Sequence, residues 1–161
     1  MSSGGAGSKD ALSAALRFLS LRPRSVKEIV DRLRKKGFND AEVERVTGRL
    51  LSVGLLDDER FASFLAGSRA RVKNWGGRKI AAELASKGVS DEFIKKALSS
   101  PEIQGEAERA EAALGKWLKS RGLKPPLERK NIEKAYRHLI GRGFPSSTVM
   151  RTIGRQKEGE E

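Results

Sequence analysis

Apolar residues recur at helical spacing along almost the whole chain. Leu12, Ala15, Leu16 and Leu19 fall at i, i+3, i+4 and i+7, one face of a helix. Pro23 closes that helix, and Ser25-x-x-Glu28 has the pattern of a capping box that opens the next. Ile29, Val30 and Leu33 give the second helix its apolar stripe, and Gly37 stands where a helix-ending glycine belongs. Val43, Val46, Leu50 and Val53 mark a third helix. No stretch alternates with period two and β-branched enrichment, so the pattern predicts an all-α fold.

The same arrangement returns twice. Ile29-x3-Leu33-x3-Gly37-Phe38 is followed by Val43, Ile80-x3-Leu84-x3-Gly88-Val89 by Ile94, and Ala135-x3-Leu139-x3-Gly143-Phe144 by Val149. The three glycines are 51 and then 55 residues apart. An amphipathic stretch precedes each: Leu12 to Leu19, Phe61 to Leu65, and Ala110 to Leu118. Three tandem three-helix units follow, at residues 10–56, 57–100 and 101–157. In each, the glycine takes a positive φ and turns the chain, and the apolar residue after it packs back over the helix end. Asn39, Ser90 and Ser146 are expected to cap the third helices, and Arg121 to Lys130, with Pro125-Pro126, to form a loop inside the last unit. Residues 1–9, rich in Ser and Gly, read as a flexible leader, and 158–161 as a frayed acidic tail.

Composition narrows the chemistry. The 161 residues carry 33 Lys and Arg against 21 Asp and Glu, a net charge of +12, positive in each unit. Such a balance favours a polyanionic partner spread along the chain. With no Cys, disulfides, iron–sulfur clusters and thiolate zinc sites are excluded, and a single His, His138, excludes a His-rich metal site. No apolar run is long enough to span a membrane, and no secretory signal is evident. A soluble cytoplasmic monomer without cofactor is expected.

The stretch from Phe61 to Ala82 holds Arg69, Arg71, Lys73, Arg78 and Lys79 and no acid. Arg69 and Lys73, four apart, share a helix face, and Arg71 points elsewhere. Trp75 lies among these cations next to two glycines, a pattern suited to phosphates or an acidic protein groove. A second group, with Arg129, Lys130 and Arg137, lies in the last unit. Asp57 and Asp58 read as helix caps. Gly76-Gly77-Arg78-Lys79 lacks the spacing of a phosphate loop and follows no strand, so it is not a nucleotide site. No nucleophile–base set or carboxylate cluster stands out, and no enzyme is predicted. Trp117, Leu118, Phe18, Phe38, Phe64, Phe93 and Phe144 read as core.

Taken in order, Gly54-Leu55-Leu56-Asp57-Asp58-x-x-Phe61-Ala62, Arg69, Gly76, Ile80, Glu83-Leu84 and Lys87-Gly88 resemble the RecX family of regulators of the RecA recombinase. Ser25, Leu33 and Gly37-Phe38 match its first unit, and Arg142-Gly143-Phe144 its third. The likeness runs from Ala11 to Ile153. It implies an elongated, curved, all-helical array of three repeats that binds RecA filaments on DNA and inhibits ATP hydrolysis, strand exchange and co-protease activity. On that basis Arg69, Arg71, Lys73, Trp75, Arg78, Lys79, Arg129, Lys130 and Arg137 are the contact candidates, with weak binding to free single- or double-stranded DNA. The alternative is a stand-alone helix-turn-helix-like nucleic-acid-binding protein.

Overall fold

The computed structural model describes residues 4–156. Nine α-helices and one short 3-10 turn, Pro101–Ile103, make up the described residues, with no strand. The helices are α1 (Gly4–Leu21), α2 (Val26–Lys35), α3 (Asp40–Ser52), α4 (Asp58–Lys73), α5 (Gly77–Ser86), α6 (Asp91–Leu98), α7 (Glu106–Ser120), α8 (Arg129–Gly141) and α9 (Ser146–Arg155). Helix α1 takes in Gly4 to Lys9, which the sequence reading assigned to a leader. No proline interrupts these residues, so they continue the helix that Ala11 and Ala15 anchor in the first core. Met1 to Ser3 and the acidic tail at 158–161 lie outside the described residues. None of the described helices is long and apolar enough to cross a membrane.

The chain divides into two compact units: Met1–Ala62 with Leu84–Ile94, and Ser63–Glu83 with Lys95–Glu161. In the first, α1, α2 and α3 pack pairwise around Ala11, Ala15, Ile29, Leu33, Val43, Val46, Leu50 and Leu56. In the second, α7, α8 and α9 pack pairwise around Ala110, Leu114, Trp117, Leu118, Ala135, Leu139, Phe144, Val149 and Ile153. Ala135, which takes the place of Ile29 and Ile80, lies in a cluster that also buries the Trp117 indole.

Local chemistry explains the helix ends. Ser25 and Asn39 each form a complete capping box, with Glu28 and Glu42 respectively. Three turns are built alike. The amides of Phe38, Val89 and Phe144 donate to Leu33, Leu84 and Leu139, and those of Gly37, Gly88 and Gly143 to Arg34, Ala85 and Ile140. This doubly bonded turn needs a left-handed residue at its bend, and the three glycines supply φ of 95°, 77° and 89°. It also explains the repeated leucine, which is fully buried in all three cases.

Two of these turns seat on the start of another helix. In the first unit, the Ser25 hydroxyl donates to the Lys87 carbonyl at 2.7 Å, and Lys87 pairs with Glu28 at 3.1 Å. The Val26 amide donates to Asp58, so Asp58 serves α2 while Asp57 caps α4 through the Arg60 amide. In the second unit, the amides of Gly76 and Arg78 donate to the carbonyls of Arg142 and Gly143 at 2.9 and 3.2 Å. There the backbones touch: a Cβ on Gly76 would lie 2.4 Å from the Gly143 oxygen, and one on Gly143 2.4 Å from the Lys79 nitrogen.

Four side-chain expectations change, two of them at Leu16 and Val53, which stand on predicted apolar faces but are 41% and 62% exposed. Ser146 is the first residue of α9 rather than its cap, because Pro145 occupies that position, and its hydroxyl instead meets Tyr136 at 3.0 Å. Phe64 is 55% exposed. The buried stripe of α4 is Phe61, Ala62, Leu65, Ala66 and Ala70, which turns Phe64 to the opposite side of the helix. Phe144, Trp117 and Leu118 are buried, and Phe18 and Phe38 are partly buried against the first core.

Candidate functional site: a cationic surface around Trp75

Helix α4 ends at Lys73, and Asn74 takes a φ of 49°. Asn tolerates this left-handed conformation better than most residues. The chain therefore folds back, and the Trp75 amide donates to the Arg69 carbonyl at 3.2 Å. The half-buried indole is surrounded by cations: Arg69 at 5.4 Å and Lys73 at 5.2 Å from α4, and Lys79 at 4.4 Å from α5. Each such contact contributes about 0.5–1 kcal/mol where water has access.

The five cations of the central block have different surroundings. Arg69 forms a two-pronged pair with Glu83, both bonds 2.7 Å, with only 24% and 19% of the two side chains exposed. These bonds raise the pKa of Arg69. Arg69 thus pins α4 to α5. Arg71 turns away and pairs with Glu102 at 3.1 Å, both side chains being exposed. Arg78 is exposed, and its backbone amide donates to the Gly143 carbonyl. Lys73 and Lys79 face the indole, and Lys79 also donates to the Gly141 carbonyl at 3.3 Å.

The structure adds two cations that the sequence reading did not join to this group. Lys116 of α7 and Arg142, the C-cap of α8, line a depression of about 440 Å³ with Val72, Lys73, Trp75 and Lys79. Arg142 donates to the Lys73 carbonyl. Its position was legible in one respect: Lys36, Lys87 and Arg142 are the cations that precede the three turn glycines. His138, one turn before Arg142, stacks on Trp117 with ring centres 5.8 Å apart. Burial, then Arg142, Arg121 and Lys79, lower its pKa from 6.5.

The second group of candidates stays apart from this depression. Arg129 and Lys130 begin α8 and are exposed, within reach of Glu133 at 3.5 Å and Glu128 at 3.3 Å. A helix of this length puts them roughly 20 Å from Arg142. Arg137 bonds the Glu133 carbonyl, on a face turned about 100° from His138.

A comparable ring cluster occurs in the first unit, where Arg24, Arg32 and Lys36 surround Phe18 at 5.9, 5.1 and 5.5 Å. Counted back from the turn glycines, Phe18 corresponds to Arg69 and Arg24 to Trp75. The aromatic and the cation have exchanged places.

The family model for the first three-helix domain of RecX matches residues 11–50, and that for the second three-helix domain matches 57–98. The regulatory protein RecX of Prosthecochloris aestuarii is 38% identical over 145 residues, covering 90% of this chain and 92% of that protein. The regulatory protein RecX of Mycobacterium sp. (strain KMS) is 33% identical over 154 residues, covering 94% and 84%. Among solved structures, RecX from Lactobacillus salivarius shares the fold with a TM-score of 0.77 at 20% identity, over 93% of this chain and 96% of that one. A second RecX structure gives 0.77 at 26% identity, over 92% and 72%. Repeated turns, helix order and sequence identity agree, and the chain is a member of the RecX family.

Proposed function

We propose that this chain regulates the RecA recombinase by binding the RecA filament on single-stranded DNA, suppressing ATP hydrolysis, strand exchange and co-protease activity. Family membership supports RecA as the partner, and the Trp75 surface is the observation that carries the reading. It presents Lys73, Lys79, Lys116 and Arg142 with no carboxylate paired to any of them among the described residues. Such a surface favours a polyanionic assembly over a small neutral ligand. The three like turns and two like seats support an arrangement of three tandem three-helix repeats, which offers cations at several points of a polymer.

The mechanism is preferential binding to one filament state. A protein that holds adjacent recombinase protomers in the conformation it prefers slows the changes that accompany ATP turnover, and its bulk excludes a second DNA or a cleavable repressor. The chain itself supplies no bond-breaking chemistry in this reading.

The test is RecA ATP hydrolysis on single-stranded DNA, titrated with this protein at fixed salt. Inhibition well below the amount that coats the DNA is expected. Arg71, Lys73, Arg78 and Lys79 changed together to Ala should weaken it with helicity intact; Arg69 is left alone because it holds α4 to α5. Inhibition only at DNA-coating amounts would favour the stand-alone nucleic-acid-binding alternative.

A further inference from the structure

The depression beside Trp75 draws cations from four helices: Lys73 at the end of α4, Lys79 in the first turn of α5, Lys116 on α7 and Arg142 at the end of α8. Acids stand close by in sequence and fold, yet they serve other donors. Glu83 takes Arg69, Glu102 takes Arg71, and Glu106 takes the Gly77 amide at 3.0 Å. None of the four cations pairs with a carboxylate among the described residues. Two of them are held in place, Lys79 by the Gly141 carbonyl and Arg142 by the Lys73 carbonyl. Like charges brought together and fixed repel one another, and an anion seated among them removes that cost without reorganising the site.

We propose that this depression is a phosphate-binding site. Three ammonium groups and one guanidinium suit a compact, multiply charged oxyanion. At about 440 Å³, the space also exceeds a lone phosphate. Its remaining wall, Val72 and the Trp75 ring, is the surface that a sugar or base joined to that phosphate would cover. The inference does not depend on RecA and is tested without it.

The fold contains its own reporter. Burial, then Arg142 on its own helix, Arg121 at the end of α7 and Lys79 on α5 lower the pKa of His138. A phosphate beside Lys79 and Arg142 would offset two of those three cations and raise the pKa of His138. The experiment follows the His138 imidazole by NMR across pH in the full chain. Chloride is exchanged for inorganic phosphate at constant ionic strength, and in a second series a thymidine tetranucleotide is added. A rise in the His138 pKa with phosphate, beyond that in chloride, is expected. Lys116→Ala, which removes an exposed side chain with no bonded partner among the described residues, should weaken the apparent affinity about tenfold with unchanged circular dichroism. A response to both probes would assign the site to phosphate on a nucleic-acid strand, and a response to inorganic phosphate alone would assign it to the free anion. Equal titration curves in phosphate and chloride, or full affinity in Lys116→Ala, would overturn the proposal.

Discussion

A single methyl group at residue 76 should damage this protein out of proportion to its size. Gly76 does not have a positive φ, so alanine suffers no backbone strain there. The obstacle is space: the new Cβ would lie 2.4 Å from the Gly143 oxygen, 2.5 Å from its carbonyl carbon and 2.6 Å from the Phe144 nitrogen. All three are backbone atoms, so no side chain can rotate away. Relief requires α5 and the turn at Gly143 to part by roughly 1 Å, which stretches the Gly76–Arg142 and Arg78–Gly143 hydrogen bonds. Two bonds each weakened by about 0.5 kcal/mol, with overpacking of about 1–3 kcal/mol, give a loss of about 2–4 kcal/mol. For a chain of this size that lowers Tm by roughly 5–15 °C. The assay is urea and thermal unfolding followed by circular dichroism, with Gly115→Ala as the control. A Cβ on Gly115, inside α7, meets nothing within 4 Å, so that variant should be stabilised by about 0.5–1 kcal/mol. Stability of Gly76→Ala within 0.5 kcal/mol of the parent chain would refute the seating of the turn on α5.

Gly37 and Gly143 offer a second comparison. Both need a left-handed backbone, but only Gly143 is crowded, so Gly37→Ala should cost about 1–2 kcal/mol and Gly143→Ala distinctly more by the same unfolding assay. Arg69→Ala removes two bonds to a carboxylate that is 19% exposed and should cost about 1–3 kcal/mol, whereas Arg71→Ala, at an exposed pair, should cost less than about 0.5 kcal/mol; equal losses would contradict the assignment of Arg69 as the pin. Burial acts to raise the pKa of Glu28, but hydrogen bonds from Arg22, the Ser25 amide and Lys87 lower it from 4.5 to about 2. Because the folded pKa is depressed, its stabilisation is complete above about pH 4.5 and is lost as pH falls toward 2. Glu28→Gln should therefore flatten that part of the stability–pH curve, and an unchanged curve would remove Glu28 from the account.

What could be read in advance was what is local. Capping boxes at Ser25 and Asn39, the turn glycines and the buried leucines four residues before them depend on residues within one or two helical turns, and their spacing is visible in the chain. The seating of Gly143 on Gly76 spans 67 positions and rests on backbone groups, which every residue carries. Only the absence of side chains marks it, and glycines have many other uses. The cationic site was half legible for the same reason. Arg69, Lys73, Trp75 and Lys79 are neighbours in sequence, and their grouping around the indole follows from helical spacing and one left-handed Asn. Lys116 and Arg142 join them only through tertiary structure. Ser146 shows a different limit, since its composition suits a cap but the preceding proline takes that position.

The exchange between Phe18–Arg24 and Arg69–Trp75 bears on how such chains are compared. Aligned column by column, both sites count as mismatches, an aromatic against a cation each time. In space the pair is kept, with a guanidinium 5.9 Å from one ring centre and 5.4 Å from the other. What these two segments share is a contact rather than either residue, so a substitution score assigned to one column at a time understates their likeness. Scoring the two columns jointly restores it.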